Sequence, residues 1–216
     1  MKLFIASLTS SLLLAVSAHA ATVVEFTSVN GPSVAADVEG TGVTGFDLNR
    51  SIGVIERSGG TFVSRDWEEG TNKLSALANN NSIFWGFNST VGYNLTTLSF
   101  GYDRSPTGPV SIAVDFFINN VFQGEIFSDF MVPENETGLA VIDMTAFDNV
   151  QNGFFRLTGW GATSSLGTFD IENRTALGGK GITLTGDVVA PIPLPAALPL
   201  LIGAIGVMGL GRRRRS

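Results

Sequence analysis

Asp170 and Glu172 stand two residues apart in Phe169-Asp170-Ile171-Glu172. On a strand, alternate side chains point the same way, so the two carboxylates share a face and Phe169 and Ile171 take the other. Two carboxylates about 5–9 Å apart across a cleft are the equipment of glycoside hydrolysis. Glu68-Glu69 and Glu134/Glu136 are further carboxylate pairs. The alternative is that all of these are surface acids on half-buried strands. With Asn173 beside them, Asp170 and Glu172 also offer the hard oxygens that Ca²⁺ prefers. Asp47 and Asn49 do the same. A single structural Ca²⁺ is the only cofactor these residues suggest, and no loop of the EF-hand type is present. Sugar binding needs an exposed aromatic ring with polar side chains nearby, and Trp67, Trp85 and Trp160 are the candidates. Trp160 shares a strand face with Arg156 and lies opposite Phe155 and Leu157. It is therefore expected outside, with Arg156 as a partner for hydroxyl groups. The alternatives are a Trp160 that lies in the core or caps the sandwich edge and an Arg156 that pairs with a carboxylate, as Arg104 is also expected to do.

Other chemistry is excluded by composition. The chain has no cysteine, which removes disulfides, thiol catalysis and thiolate metal sites. Its one histidine, His19, lies in a segment expected to be removed. A serine nucleophile would then need a lysine base. Only Lys73 and Lys180 lie between the two ends, and neither follows a serine at the S-x-x-K spacing. No catalytic residue is assigned.

Residues 1–20 read as a secretory signal peptide: Lys2, an apolar stretch from Leu3 to Val16, and an Ala18-His19-Ala20 site for signal peptidase. An uncleaved helical anchor is the alternative. Residues 190–216 have three parts in order. Ala190-Pro191-Ile192-Pro193-Leu194-Pro195-Ala196 cannot be helical, because proline fixes φ and lacks the N–H. Residues 194–211 are uncharged and form a predicted transmembrane helix of about 27 Å, close to the thickness of a bilayer core. Arg212, Arg213, Arg214 and Arg215 follow and should remain cytoplasmic.

Pro193-Leu194-Pro195-Ala196, the glycine-rich apolar span and the terminal arginines together resemble the VPLPA-CTERM sorting tail, a variant of the PEP-CTERM tails of bacterial surface proteins. The one departure is Ile192 where the family has Val. The resemblance implies recognition by an exosortase-type membrane protease that cuts near the Pro-Leu-Pro-Ala motif. Without it, the residues indicate only a single span with the body outside, and a permanent anchor is the alternative to cutting. The expected course is an inner-membrane protein with its body in the periplasm, then at the cell surface or outside the cell after processing.

The body, residues 21–189, holds all 19 acidic residues and eight of the 13 basic ones, a net charge of −11. Such a charge repels nucleic acid, so none is expected as a partner. The body reads as ten or eleven short strands. Val110, Ile112, Val114, Phe116 and Ile118 alternate with Ser111, Ala113, Asp115 and Phe117. Asn119-Asn120 then supplies a hairpin turn into Val121–Phe127. Leu98, Phe100 and Tyr102, Ile83–Phe87, Phe154–Trp160 and Ile182–Thr185 are further strands, and Trp67–Asn79 holds a turn or two of helix at most. Many short antiparallel strands predict an all-β, two-sheet jelly-roll-like sandwich. Arg104-Ser105-Pro106-Thr107-Gly108-Pro109, Phe155–Ala162 and Gly167–Ile171 occur in an order similar to the jelly-roll bodies that PEP-CTERM-type proteins often carry. The functional expectation is a non-catalytic envelope or extracellular-matrix protein. A carbohydrate-binding module for extracellular polysaccharide on the same scaffold is second, and a glycoside hydrolase third.

Overall fold

The computed structural model describes residues 20–27, 29, 31–57, 61–134 and 137–189. The signal peptide and the tail, including the Pro-Leu-Pro-Ala motif, residues 194–211 and the arginine cluster, lie outside the described residues. Among those described, no helix is long and apolar enough to cross a membrane.

Among the described residues, twelve strands run in chain order: β1 (Ala21–Phe26), β2 (Val38–Glu39), β3 (Val43–Arg50), β4 (Ile55–Glu56), β5 (Phe62–Arg65), β6 (Ser82–Arg104), β7 (Ser111–Ile118), β8 (Val121–Asp129), β9 (Gly138–Asp143), β10 (Val150–Trp160), β11 (Phe169–Glu172) and β12 (Ile182–Val188). An α-helix, α1 (Lys73–Ala78), and a 3-10 turn at Thr175–Leu177 complete the elements among the described residues. All pairing between strands is antiparallel. One layer has the order β3-β6-β10-β7-β8. The other has the order β9-β6-β12-β1-β2, and β11 carries β5 and β4 alongside the last residues of β6.

The 23-residue strand β6 serves both layers, its first part pairing with β3 and β10 and its last part with β12, β9 and β11. Sequence reading divides it into two strands, and the reason is visible in its alternation. Ile83, Trp85, Phe87, Tyr93 and Leu95 are the buried odd positions, whereas Leu98, Phe100 and Tyr102 are even. The phase changes at Thr96. Thr97 pairs with Thr185 and Leu95 with Gly186, so β6 carries one extra residue there, a β-bulge. Thr96 Oγ1 lies 2.7 Å from Thr185 Oγ1, which ties the bulge to its neighbour.

The core lies between the layers and is largely aromatic. Trp85 stacks on Phe155 at 5.5 Å and meets Phe100 edge-on at 6.1 Å, so the two halves of β6 touch across the sandwich. Phe116 stacks on Phe155 at 4.7 Å, and Tyr102 on Phe169 at 6.1 Å. Gly159 makes room for Trp67, since a Cβ there would lie 2.8 Å from the indole ring. Asn119 and Asn120 adopt φ of 51° and 64°, as the expected hairpin turn requires.

Candidate ligand-binding face

The layer β3-β6-β10-β7-β8 turns its inner side to the core and its other side outward. The register sets the outward side chains in straight cross-strand rows. Phe46 on β3 is opposite Gly86 on β6, Gly86 opposite Phe154 on β10, Phe154 opposite Phe117 on β7, and Phe117 opposite Phe122 on β8. One aromatic row therefore crosses the layer from edge to edge. Its one gap, Gly86, is where the Phe46 ring lies: a Cβ on Gly86 would come 2.9 Å from Phe46 Cδ2. Phe84 closes the row from the side, 5.9 Å from Phe154. Phe117 is 5.7 Å from Phe154 and 5.5 Å from Phe122. Phe46, Phe84, Phe154 and Phe117 are half-buried, and Phe122 is 56% exposed.

Hydrogen-bonding residues border the aromatic row on both sides. Thr44, Asn88 and Asn152 form one flanking row, where Asn152 Nδ2 donates to Asn88 Oδ1. Asn49, Arg156, Asp115 and Glu125 form the other, with the Phe84 ring between Asn49 and Arg156. Asp115 is the anchor of that second row, its side chain only 2% exposed. It accepts from Lys73 Nζ at 2.5 Å and from an Arg156 guanidinium nitrogen at 2.9 Å. Lys73 Nζ also reaches Glu125 Oε2 at 2.9 Å. Arg156 is held with its guanidinium carbon 5.0 Å above the centre of the Phe117 ring, within cation–π range.

Helix α1 covers one end of this face. Asn72 caps it, its Oδ1 accepting from Ser75 N at 2.9 Å. Glu68 accepts from Ser75 Oγ, from the Gly70 N–H and from Asn79 Nδ2, and these bonds hold its carboxylate below the usual range. The segment is fastened to the end of β10 by Gly161 N–H to Gly70 O and Ala162 N–H to Glu68 O. Ala76 then packs with Ala113 and Trp160.

This placement corrects the expectation for Trp160. The residue does share the outer face with Arg156, but α1 and an edge-on contact with Phe130 leave it 8% exposed, so it offers no open ring. Trp67 and Trp85 are 2% and 0% exposed. Arg156 pairs with a buried carboxylate and still faces the aromatic row. Arg104 likewise pairs with Glu134 at 2.9 Å. The exposed rings are phenylalanines, and sequence reading missed them. Its signal would have been the paired phenylalanines Phe116-Phe117 and Phe154-Phe155, which place one ring on each face of a strand.

The expected carboxylate pair is also found, with a different third member. Asp170 lies directly opposite Asp103 on β6, and carboxylate oxygens of Asp103, Asp170 and Glu172 fall within 4.8 Å of one another. Asn173 is elsewhere, its Nδ2 donating to Thr27 O at 2.5 Å. Glu172 is paired with Arg174 at 2.8 Å. Burial, then the charges of Asp103 and Glu172, push the Asp170 carboxyl up to about 7, against the smaller opposing pull of Arg57 and Arg50. Burial draws Arg50 itself down to about 10. The three carboxylates form one compact group on adjacent strands. They could serve as three of the six to eight oxygens that Ca²⁺ takes. A polar cavity of about 350 Å³ lies nearby, between residues 137–139 and 173–176, and its lining contains no aromatic ring.

No family model matches the chain, and no curated protein matches it. Solved structures of similar strand layout include a mutant of CBM29-2, a family 29 carbohydrate-binding module. It has 13% identity and a TM-score of 0.38, over 79% of this chain and 91% of that one. Another is an F5/8 type C domain from Bacteroides fragilis, with 12% identity and a TM-score of 0.34, over 74% of this chain and 100% of that one. At such identity and overlap, nothing about a ligand passes from them to this chain.

Proposed function

We propose that this chain is an exported bacterial envelope or extracellular protein whose body, a jelly-roll sandwich, is a non-catalytic carbohydrate-binding module. The observation that carries this reading is the edge-to-edge phenylalanine row on an outer sheet face with hydrogen-bonding rows on both sides. A pyranose has an apolar C–H face and a polar rim, and this face offers rings for the first and amide and charged groups for the second. Burying the rings against a sugar removes apolar surface from water at about 25 cal/mol per Å². The buried Asp115 fixes Lys73 and Arg156 beforehand, which lowers the cost of ordering them on binding. This reading places the glycan contacts at Phe117, Phe154 and Phe122 with Arg156, and leaves Trp160 as support beneath α1.

The proposal retains the secretory leader, the membrane span and processing by an exosortase-type protease, which rest on the residues of the two ends. A glycan array probed with the full-length chain in detergent tests the module. Binding to a defined glycan that falls at least about tenfold in Phe117→Ala is expected, equivalent to about 1.4 kcal/mol. A folded chain that binds no glycan overturns the proposal.

A further inference from the structure

The shape of the face bears on which part of a glycan it takes. The aromatic row runs across the strands and reaches both edges of the layer, Phe46 on β3 at one side and Phe122 on β8 at the other. Five strands make four strand spacings, about 19 Å at about 4.8 Å each. In an extended, equatorially linked glycan each pyranose advances by close to one strand spacing. The row thus has the length of about four sugar units. The row is a track along the sheet surface, bordered by the Val34–Leu48 bridge outside β3 and left open at β8, where Phe122 is 56% exposed. A pocket for a chain end would instead close around a single unit.

Charge narrows the ligand further. The two cations at the face are matched by two carboxylates, Lys73 and Arg156 on Asp115, and Lys73 also on Glu125. An anionic chain would find no uncommitted cation among these four groups, and it would approach a body of net charge −11. We infer that the face takes an internal stretch of a neutral, extended glycan, about four units long and lying across the strands. This rests on the carbohydrate-binding reading above.

The test is calorimetric titration of the full-length chain in detergent with three probe series of one to six units: β-1,4-linked glucose, β-1,4-linked mannose and β-1,4-linked mannuronate, which differs from mannose in its carboxylate and keeps the equatorial linkage. In at least one neutral series affinity should rise by at least about tenfold between one and four units and then level off. The mannuronates should bind at least about tenfold more weakly than that series. In Phe122→Ala, a change at an exposed edge position that the fold tolerates, the plateau should come at about three units instead of four. A single unit that binds as tightly as four, or mannuronate that binds best, overturns the inference and leaves the module reading standing. An unshifted plateau in Phe122→Ala overturns the placement across the strands. Failure of every series to bind, with array binding intact, overturns the neutral-chain assignment alone; failure on both overturns the module as well.

Discussion

Asp170→Asn is expected to make this protein more stable at alkaline pH, although it removes a charged side chain from a group suspected of holding a cation. Asp170 shares its site with Asp103 on β6 and Glu172 on β11, while the charges of Arg57 after β4 and Arg50 on β3 pull its value the opposite way. Burial and the two carboxylates raise its folded value from 3.8 to about 7. A raised carboxyl contributes stability that is fully present below its unfolded value and lost as pH rises through the folded one. Between about 4 and 7 the unfolded chain gives up this proton first, so stability falls across that window and is flat above it as far as this group is concerned. At about 1.4 kcal/mol per pH unit, the ionised fold is penalised by about 4 kcal/mol, an upper value because the group keeps some contact with water. Asparagine has the shape of the protonated acid and cannot ionise. Urea unfolding of wild type and Asp170→Asn at pH 4, 6 and 8, in chelator to remove divalent cations, isolates Asp170 together with the charges coupled to it, because every uncoupled group cancels in the difference. The two should agree within about 1 kcal/mol at pH 4, and the variant should lead by about 2–4 kcal/mol at pH 8. A gap that stays constant with pH, or a variant that is weaker at pH 8, would refute the reasoning.

Asp115→Ala leaves Lys73 and Arg156 without their shared carboxylate beneath α1, and should cost about 3 kcal/mol in urea unfolding. The same change should weaken glycan binding more than its exposure suggests, since Arg156 loses its hold over Phe117. Gly159→Ala drives a methyl group to 2.8 Å from the Trp67 ring and should cost about 1–3 kcal/mol, with a changed tryptophan emission as the second readout. Replacing Arg212–Arg215 with Ser should impair membrane retention or processing, read by fractionation and by the intact mass of the recovered protein.

Much of the fold is legible in local pattern. Period-two alternation marks the strands on either side of Asn119-Asn120, and the turn residues adopt the positive φ that the pattern demands. Where alternation changes phase, as at Thr96 in β6, local reading sees two strands and the fold has one, because a bulge carries the chain on after the phase is lost. Strand β9 was missed altogether: Leu139 and Val141, its exposed apolar residues, blur the alternation with Ala140 and Ile142.

The candidate face shows the same division. The residue types alone determined an acidic, cysteine-less body and pointed to its mostly-β fold. They also placed Asp170 with Glu172 and Arg156 with Trp160 on shared strand faces, because side-chain direction along a strand depends only on spacing. Tertiary structure decided what meets those faces. It brought Asp103 to Asp170 from 67 residues away in the chain, covered Trp160 with a helix, and aligned five phenylalanines from separate strands beside Arg156. Cross-strand register and the docking of α1 are set by contacts distant in sequence, and no local spacing encodes them.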